Sequence, residues 1–222
     1  MTHYRVAVIG GTGPQGKGLG YRFAKGGHDV VLGSRAAEKA EAVATEVAER
    51  LAGVSGAGAV TGAANEDAVA QCDVVLLAVP YDGHDELVAA LPLAGKTVIS
   101  CVNPLAFDKR GAHGQVINGG EGSAAESAAE LAPEATVVGA FHNLSAVGLW
   151  SEENHLDEDV IVVGDSVEGK QVAIDLAVSV TSRPGVDGGK LRLARVLEPF
   201  TAVLISINRK YKVHSGLRIT GL

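Results

Sequence analysis

Aromatic residues make up only 4% of the 222 positions, methionine and tryptophan occur once each, and there are two cysteines. With so few large rings, the 46% apolar content must build an interior mainly from Val, Ala, Leu and Ile, as strands buried on both faces do. No run approaches the ~18 apolar residues of a membrane span. No basic n-region, apolar h-region or small-residue cleavage site precedes the first predicted strand, so no export signal is expected. Positive charge is also scarce. A formal net charge of -7 argues against a general nucleic-acid binder, which needs a cationic surface to displace counterions from phosphates. Cys72 and Cys101 each fall in or beside a predicted buried strand and read as core thiols, neither bridged nor reactive. There is no G-x-S-x-G elbow, no H-E-x-x-H and no Cys/His metal spacing, so no metal site is expected. These absences leave a cytoplasmic protein whose partners are small molecules.

What is present is an alternation of short Val/Ile/Leu runs with Ala-rich stretches, which implies right-handed βαβ crossovers and a parallel sheet. Strands are predicted at 5–10, 29–33, 73–79 and 96–102, a short one near Val60, and another from Thr136 to Phe141 that runs into His142-Asn143. A helix is predicted from Ala36 to Leu51, with Glu46 and Arg50 at i,i+4 spacing. Asn65 reads as the cap of a brief helix. The Gly-rich segment from Phe107 to Gly122 reads as a long loop, either a lid or simply mobile. Beyond it come a helix over 123–131, a strand over 160–164, a helix over 167–180, and a long helix from Gly189 to Tyr211 that Pro199 should kink or restart. The expected fold is α/β: a Rossmann-type, doubly wound, mainly parallel sheet over 1–145, with a smaller, mostly helical C-terminal domain over 146–222.

The run Val6-Ala7-Val8-Ile9-Gly10-Gly11-Thr12-Gly13-Pro14-Gln15-Gly16 sets G-x-G-x-x-G directly after a strand and before a helix. In that context Gly11 is expected to permit the tight turn, Gly13 to admit a pyrophosphate, and Gly16 to allow close helix–strand packing. A flexible glycine turn is the plainer reading, but it does not account for the strand and helix on either side. At the end of the second strand an NAD site usually places a carboxylate for the ribose 2′-hydroxyl. Here the residues are Gly33, Ser34 and Arg35, with Lys39 one helical turn later. An acid would repel a 2′-phosphate, whereas a hydroxyl and two cations can bind it, so NADP(H) is the expected cofactor. The plainer alternative leaves Arg35 and Lys39 as solvated helix charges. Val79-Pro80-Tyr81 and Ser100 to Pro104 fall at strand ends where α/β sheets bind ligands, although proline there can also simply end a strand. Tyr21 and Lys25 form a Tyr-x-x-x-Lys pair, but in the first helix, where it reads as chance. His142 is the best remaining polar candidate at a strand end, with a structural role as its alternative.

Gly10 to Gly13, Gly16-Lys17-Gly18-Leu19, Gly27-His28, Leu32 to Arg35, Glu38-Lys39-Ala40, Asn65 to Ala68, Cys72-Asp73, Val79-Pro80, Gly139 to Ala146 and Ala194 to Pro199 together resemble the NADPH:coenzyme F420 oxidoreductase family over nearly the whole chain. The resemblance implies hydride exchange between nicotinamide C4 and C5 of the deazaflavin, by positioning and without a catalytic acid. It implies that Gly11, Thr12, Gly13, Pro14, Gln15, Gly16, Ser34, Arg35 and Lys39 hold NADP, with Val79, Asn103 and Ala146 beside the nicotinamide. His142, Leu144 and Leu217 would then face F420, and the molecule is expected to be a homodimer. Asn143-Leu144-Ser145 stands where a Thr-Ile-Pro run is more usual, and Asn103 where an apolar residue can occur. Two other readings stay open from the sequence: an NADP-dependent imine or keto-acid reductase, and a non-catalytic NADP-binding redox sensor.

Overall fold

The computed structural model describes residues 2–151 and 156–222. Its first half is the alternation read from the sequence: β1 (Arg5–Ile9), α1 (Pro14–Lys25), β2 (Asp29–Ser34), α2 (Ala37–Arg50), β3 (Val60–Ala64), α3 (Asn65–Ala70), β4 (Val74–Leu77), α4 (His84–Ala90) and β5 (Thr97–Ser100). A hairpin follows, β6 (Leu105–Asp108) with β7 (Gly111–Gly114), and then α5 (Ala124–Leu131) and β8 (Thr136–Gly139). The remainder is α6 (Ala146–Leu149), β9 (Ile161–Gly164), α7 (Val167–Thr181), β10 (Val186–Gly189) and α8 (Ala194–Tyr211).

The main sheet has eight strands in the order β10-β9-β8-β5-β4-β1-β2-β3. From β3 to β8 all neighbours are parallel, β9 runs antiparallel to β8, and β10 is parallel to β9. This is the doubly wound arrangement expected from the sequence. Successive residues along each strand feed opposite layers: Val6, Val8, Leu32, Leu76 and Ile99 pack toward α1 and α7, while Ala7, Ile9, Val31, Leu77 and Val98 pack toward α3, α4 and α5. Covering both faces is why these strands read as unbroken apolar runs. The order in which the chain adds strands reverses between β1 and β4, and a ligand crevice is expected outside the carboxyl ends of those parallel strands. No helix among the described residues is long and apolar enough to cross a membrane. Both thiols are buried and free, pushed up by desolvation to about 11 for Cys72 and about 12 for Cys101.

Three local expectations change. Most of the Phe107 to Gly122 segment is ordered into the hairpin and a short 3-10 turn, and Gly114 lies so close to Pro199 of α8 that a Cβ there would sit 2.6 Å from the proline ring. The last helix starts at Ala194, because the chain just before it, Val186 to Gly189, pairs with β9, and α8 continues through Pro199. Glu46 is bonded by Lys17 at 2.9 Å, and Arg50 instead lies 4.4 Å over the Trp150 ring.

Candidate cofactor and substrate site

The glycine loop divides its duties differently from the sequence expectation. Gly10, not Gly11, adopts the left-handed conformation (φ +82), and a Cβ on it would strike the Ala78 carbonyl. Gly11 instead lies against Val8 and Leu32, where its N–H donates to the carbonyls of Val8 and Gly33. A Cβ on Gly16 would collide with the Gly10 carbonyl, so Gly16 does serve close packing. Gly13 is different: a Cβ there meets only the Gly10 oxygen at 3.4 Å, and its open side faces the crevice.

Just beyond Gly13, α1 begins with no capping side chain and no acidic residue in its first turn. The N–H groups of its first turn have no intrahelical acceptors, and that turn borders the crevice through Pro14 and Gln15, a donor set that suits a pyrophosphate. Here the residues present fit the dinucleotide.

Beyond the loop lie two cavities that share Gly13, Ala78, Val79 and Pro80. The first, of about 470 Å³, is lined by Thr12, Ser34, Arg35 and Lys39. Neither Arg35 nor Lys39 has an ion-pair partner among the described residues. Because Ser34 pairs with Ala64 across β2 and β3, Asn65 opens α3 beside them. Asn65 makes no cap bond; its Oδ1 is buried without a partner among the described residues, and Asp82 also lines this cavity.

The second cavity, of about 490 Å³, has Pro14 and Gln15 on one side, Cys101 and Asn103 at the sheet edge, and His142 to Ala146 and α8 around it. From α8 come Thr201, Leu204, Ile205 and Asn208, one helical stripe at i, i+3, i+4, i+7. Hydrogen bonds hold this wall. The His142 carbonyl accepts from Asn103 Nδ2 at 2.8 Å and from Thr201 Oγ1 at 3.0 Å, and Asn143 Nδ2 reaches Thr201 Oγ1 and the Leu197 carbonyl. Behind it the fully buried Arg22 donates to the carbonyls of Leu149 and Gly148 at 2.8 and 2.9 Å. Charge-assisted bonds of this kind contribute roughly 1.5–3 kcal/mol each, enough to fix α6 and therefore Ala146. Phe141, just before His142, holds a non-glycine φ of +64, local strain at the cavity wall.

The His142 imidazole is 3% exposed, and desolvation pushes its pKa down to about 4. It is neutral at physiological pH, and its Nε2 has no partner among the described residues. The wall can orient a planar group against the crevice, and among its described lining residues none is an Asp or Glu.

Of the expected site residues, Thr12, Gly13, Ser34, Arg35, Lys39 and Val79 meet at the first cavity, and Pro14, Gln15, Asn103, His142, Leu144 and Ala146 at the second. Gly11 and Gly16 lie beneath the loop rather than in either lining. Leu217 is not in the lining either. Its carbonyl accepts from the Asp159 N–H at 2.8 Å, in a C-terminal tail that reaches the cavity through Ser215. Sequence reasoning missed Asn65 as a cavity residue, along with Thr201, Leu204, Ile205 and Asn208. The i, i+3, i+4, i+7 stripe of α8 was the signal for the last four; Asn65 carried none.

Residues 5–104 match the family model described as coenzyme F420-dependent NADP oxidoreductase. An F420-dependent NADP reductase of Methanocaldococcus jannaschii is 37% identical over 221 residues, spanning 98% of this chain and 99% of that protein. Its namesake from Methanothermobacter thermautotrophicus is 39% identical over 223 residues, spanning 98% and 95%. A crystal structure from Arthrobacter sp. fb24, described as a candidate F420-dependent NADP reductase, has the same fold, with a TM-score of 0.78 at 25% identity over 98% of this chain and 99% of that one. The chain belongs to the F420-dependent NADP reductase family.

Proposed function

We propose that the protein transfers a hydride between NADP(H) and coenzyme F420, with the dinucleotide laid across Gly13 from one cavity to the other. The observation that carries this reading is the continuity of the two cavities at the switch point of the sheet, one bearing cations with no ion-pair partner among the described residues and the other a mixed polar and apolar wall. Ser34, Arg35 and Lys39 take the 2′-phosphate. The backbone of Thr12 to Gly16 takes the pyrophosphate, with Gly11 and Gly16 shaping the turn, and Val79, Asn103 and Ala146 flank the nicotinamide. His142, Leu144 and Leu217 belong to the deazaflavin side, Leu217 through the tail it anchors.

When bound, the nicotinamide supplies a hydride from C4 that the deazaflavin accepts at C5, so NADPH, oxidised F420 and a proton become NADP+ and reduced F420. The chain's part is to hold the rings at ~3–3.5 Å and exclude water. Residues 146–222 then act as the smaller part that completes the deazaflavin cleft. A homodimer is supported by exposed Phe107 and Val116 near the hairpin and Val196 and Val203 on α8. The two free thiols accord with a reducing, cytoplasmic setting.

Mixing the protein with NADPH and oxidised F420 should bleach the deazaflavin absorbance in step with NADPH consumption. No turnover of F420, with turnover of an imine or keto acid, would overturn this assignment.

A further inference from the structure

From Pro199 to Leu222 the sequence holds no Asp or Glu, yet it carries Arg209, Lys210, Lys212 and Arg218 in a chain of net charge -7. Arg218 is neutralised by Asp157 and Asp159, while Arg209, Lys210 and Lys212 take no ion-pair partner among the described residues. Basic residues at a helix C-terminus are ordinary complements of the helix dipole, so their placement decides the matter. Arg209 stands one helical turn beyond the cavity-lining Ile205; Lys212 is the left-handed residue that caps α8, its N–H closing the helix on the carbonyl of the cavity-lining Asn208 at 2.9 Å. His214 lies 3.4 Å from Ser145 Oγ, and Ser145 lines the same cavity. Lys210 extends a different helical face, one turn past the exposed Ser206.

We propose that Arg209 and Lys212, with the His214 ring beside them as a hydrogen-bonding group, form a cationic rim at the mouth of the second cavity that binds the anionic tail of the deazaflavin coenzyme, its phosphodiester and glutamate carboxylates. The inference rests on the F420 reading above. An exposed rim of this kind acts through screened, long-range attraction, so it should govern capture of the co-substrate and leave the transfer step alone.

The test compares F420 with the tail-less deazaflavin riboside as hydride acceptor at saturating NADPH. Wild-type KM should be at least several-fold lower for F420 than for the riboside, and the gap should close as ionic strength rises. Lys212→Glu should raise KM for F420 about tenfold and leave KM for the riboside, KM for NADPH and kcat unchanged. Lys210→Glu makes the same change of charge off the cavity stripe and should leave KM for F420 within twofold. Equal wild-type KM for the two acceptors, or equal effects of the two substitutions, would overturn the rim while leaving the F420 assignment intact. Failure of the wild type to reduce either acceptor would overturn both.

Discussion

At the end of β2, Ser34, Arg35 and Lys39 face a cavity with neither cation paired to an acid among the described residues. A 2′-phosphate there gains charge-assisted bonds that the 2′-hydroxyl of NADH cannot make. Arg35→Ala should therefore weaken NADPH binding by ~1.5–3 kcal/mol, roughly ten- to a hundredfold, and change NADH binding little. Titration calorimetry with both dinucleotides checks this, and equal losses for the two would remove Arg35 from the 2′-phosphate site. The glycines make a sharper contrast. A Cβ at Gly13 meets nothing closer than 3.4 Å among the described residues, whereas one at Gly16 runs into the Gly10 carbonyl. Gly13→Val should keep its circular dichroism and melting temperature near wild type while losing detectable NADPH binding; Gly16→Val should lose the fold itself. A Gly13→Val protein with normal NADPH affinity would show that the loop does not cradle the phosphates.

Among the elements, the junction of α5 with α8 carries a buried acid that makes it sensitive to pH. Glu198 is 1% exposed and accepts the N–H groups of Ala124 and Ala125 at 2.8 and 3.0 Å, at the start of α5. Burial pushes its pKa up to about 7, a penalty that the two donors offset only in part. Since the folded value lies above the unfolded one, the native state holds the extra proton between pH ~4.5 and ~7, and stability is lost as pH rises through that window. Glu198→Gln cannot titrate. The difference in unfolding free energy between wild type and Glu198→Gln should shrink by about 2–3 kcal/mol from pH 5 to pH 8, and a constant difference in denaturant melts would contradict the buried-acid account. Elements differ likewise in how far the sequence reveals them. Strands β1, β2, β4 and β5 are Val/Ile/Leu runs buried on both faces, and local pattern suffices for them. The β6–β7 hairpin, with the strands Leu-Ala-Phe-Asp and Gly-Ala-His-Gly, carries little intrinsic strand preference and forms against Pro199 of α8. Val-Asp-Gly-Gly becomes β10 only because β9 offers it an edge. The glycine loop and Ser34 to Lys39 were legible because they are contiguous in sequence, while the α8 wall depends on tertiary placement of residues 59 or more positions beyond Asn103 and His142.

On the scale of the molecule, the crevice is a single trough with a narrow shared floor. Gly13, Ala78, Val79 and Pro80 belong to both cavities, while the cations lie at one end and the α8 stripe at the other. A ligand filling only the cationic end should therefore exclude the dinucleotide without touching the deazaflavin side. The fragment 2′,5′-ADP carries the 2′-phosphate and adenosine but no nicotinamide, so it fits the first cavity and stops before the second. It should inhibit NADPH oxidation competitively, with inhibition removed by raising NADPH, and raising F420 should not relieve it. On the proposed assignment of Arg35 to the 2′-phosphate, Arg35→Ala should weaken the fragment by the same roughly ten- to hundredfold factor as NADPH itself. The tests are initial rates over a grid of both substrates at several fragment concentrations, repeated with the variant. Relief by F420 would mean that the two cavities take their ligands in the opposite sense, with the deazaflavin over Ser34 and Arg35, and would reverse the direction in which the dinucleotide lies across Gly13.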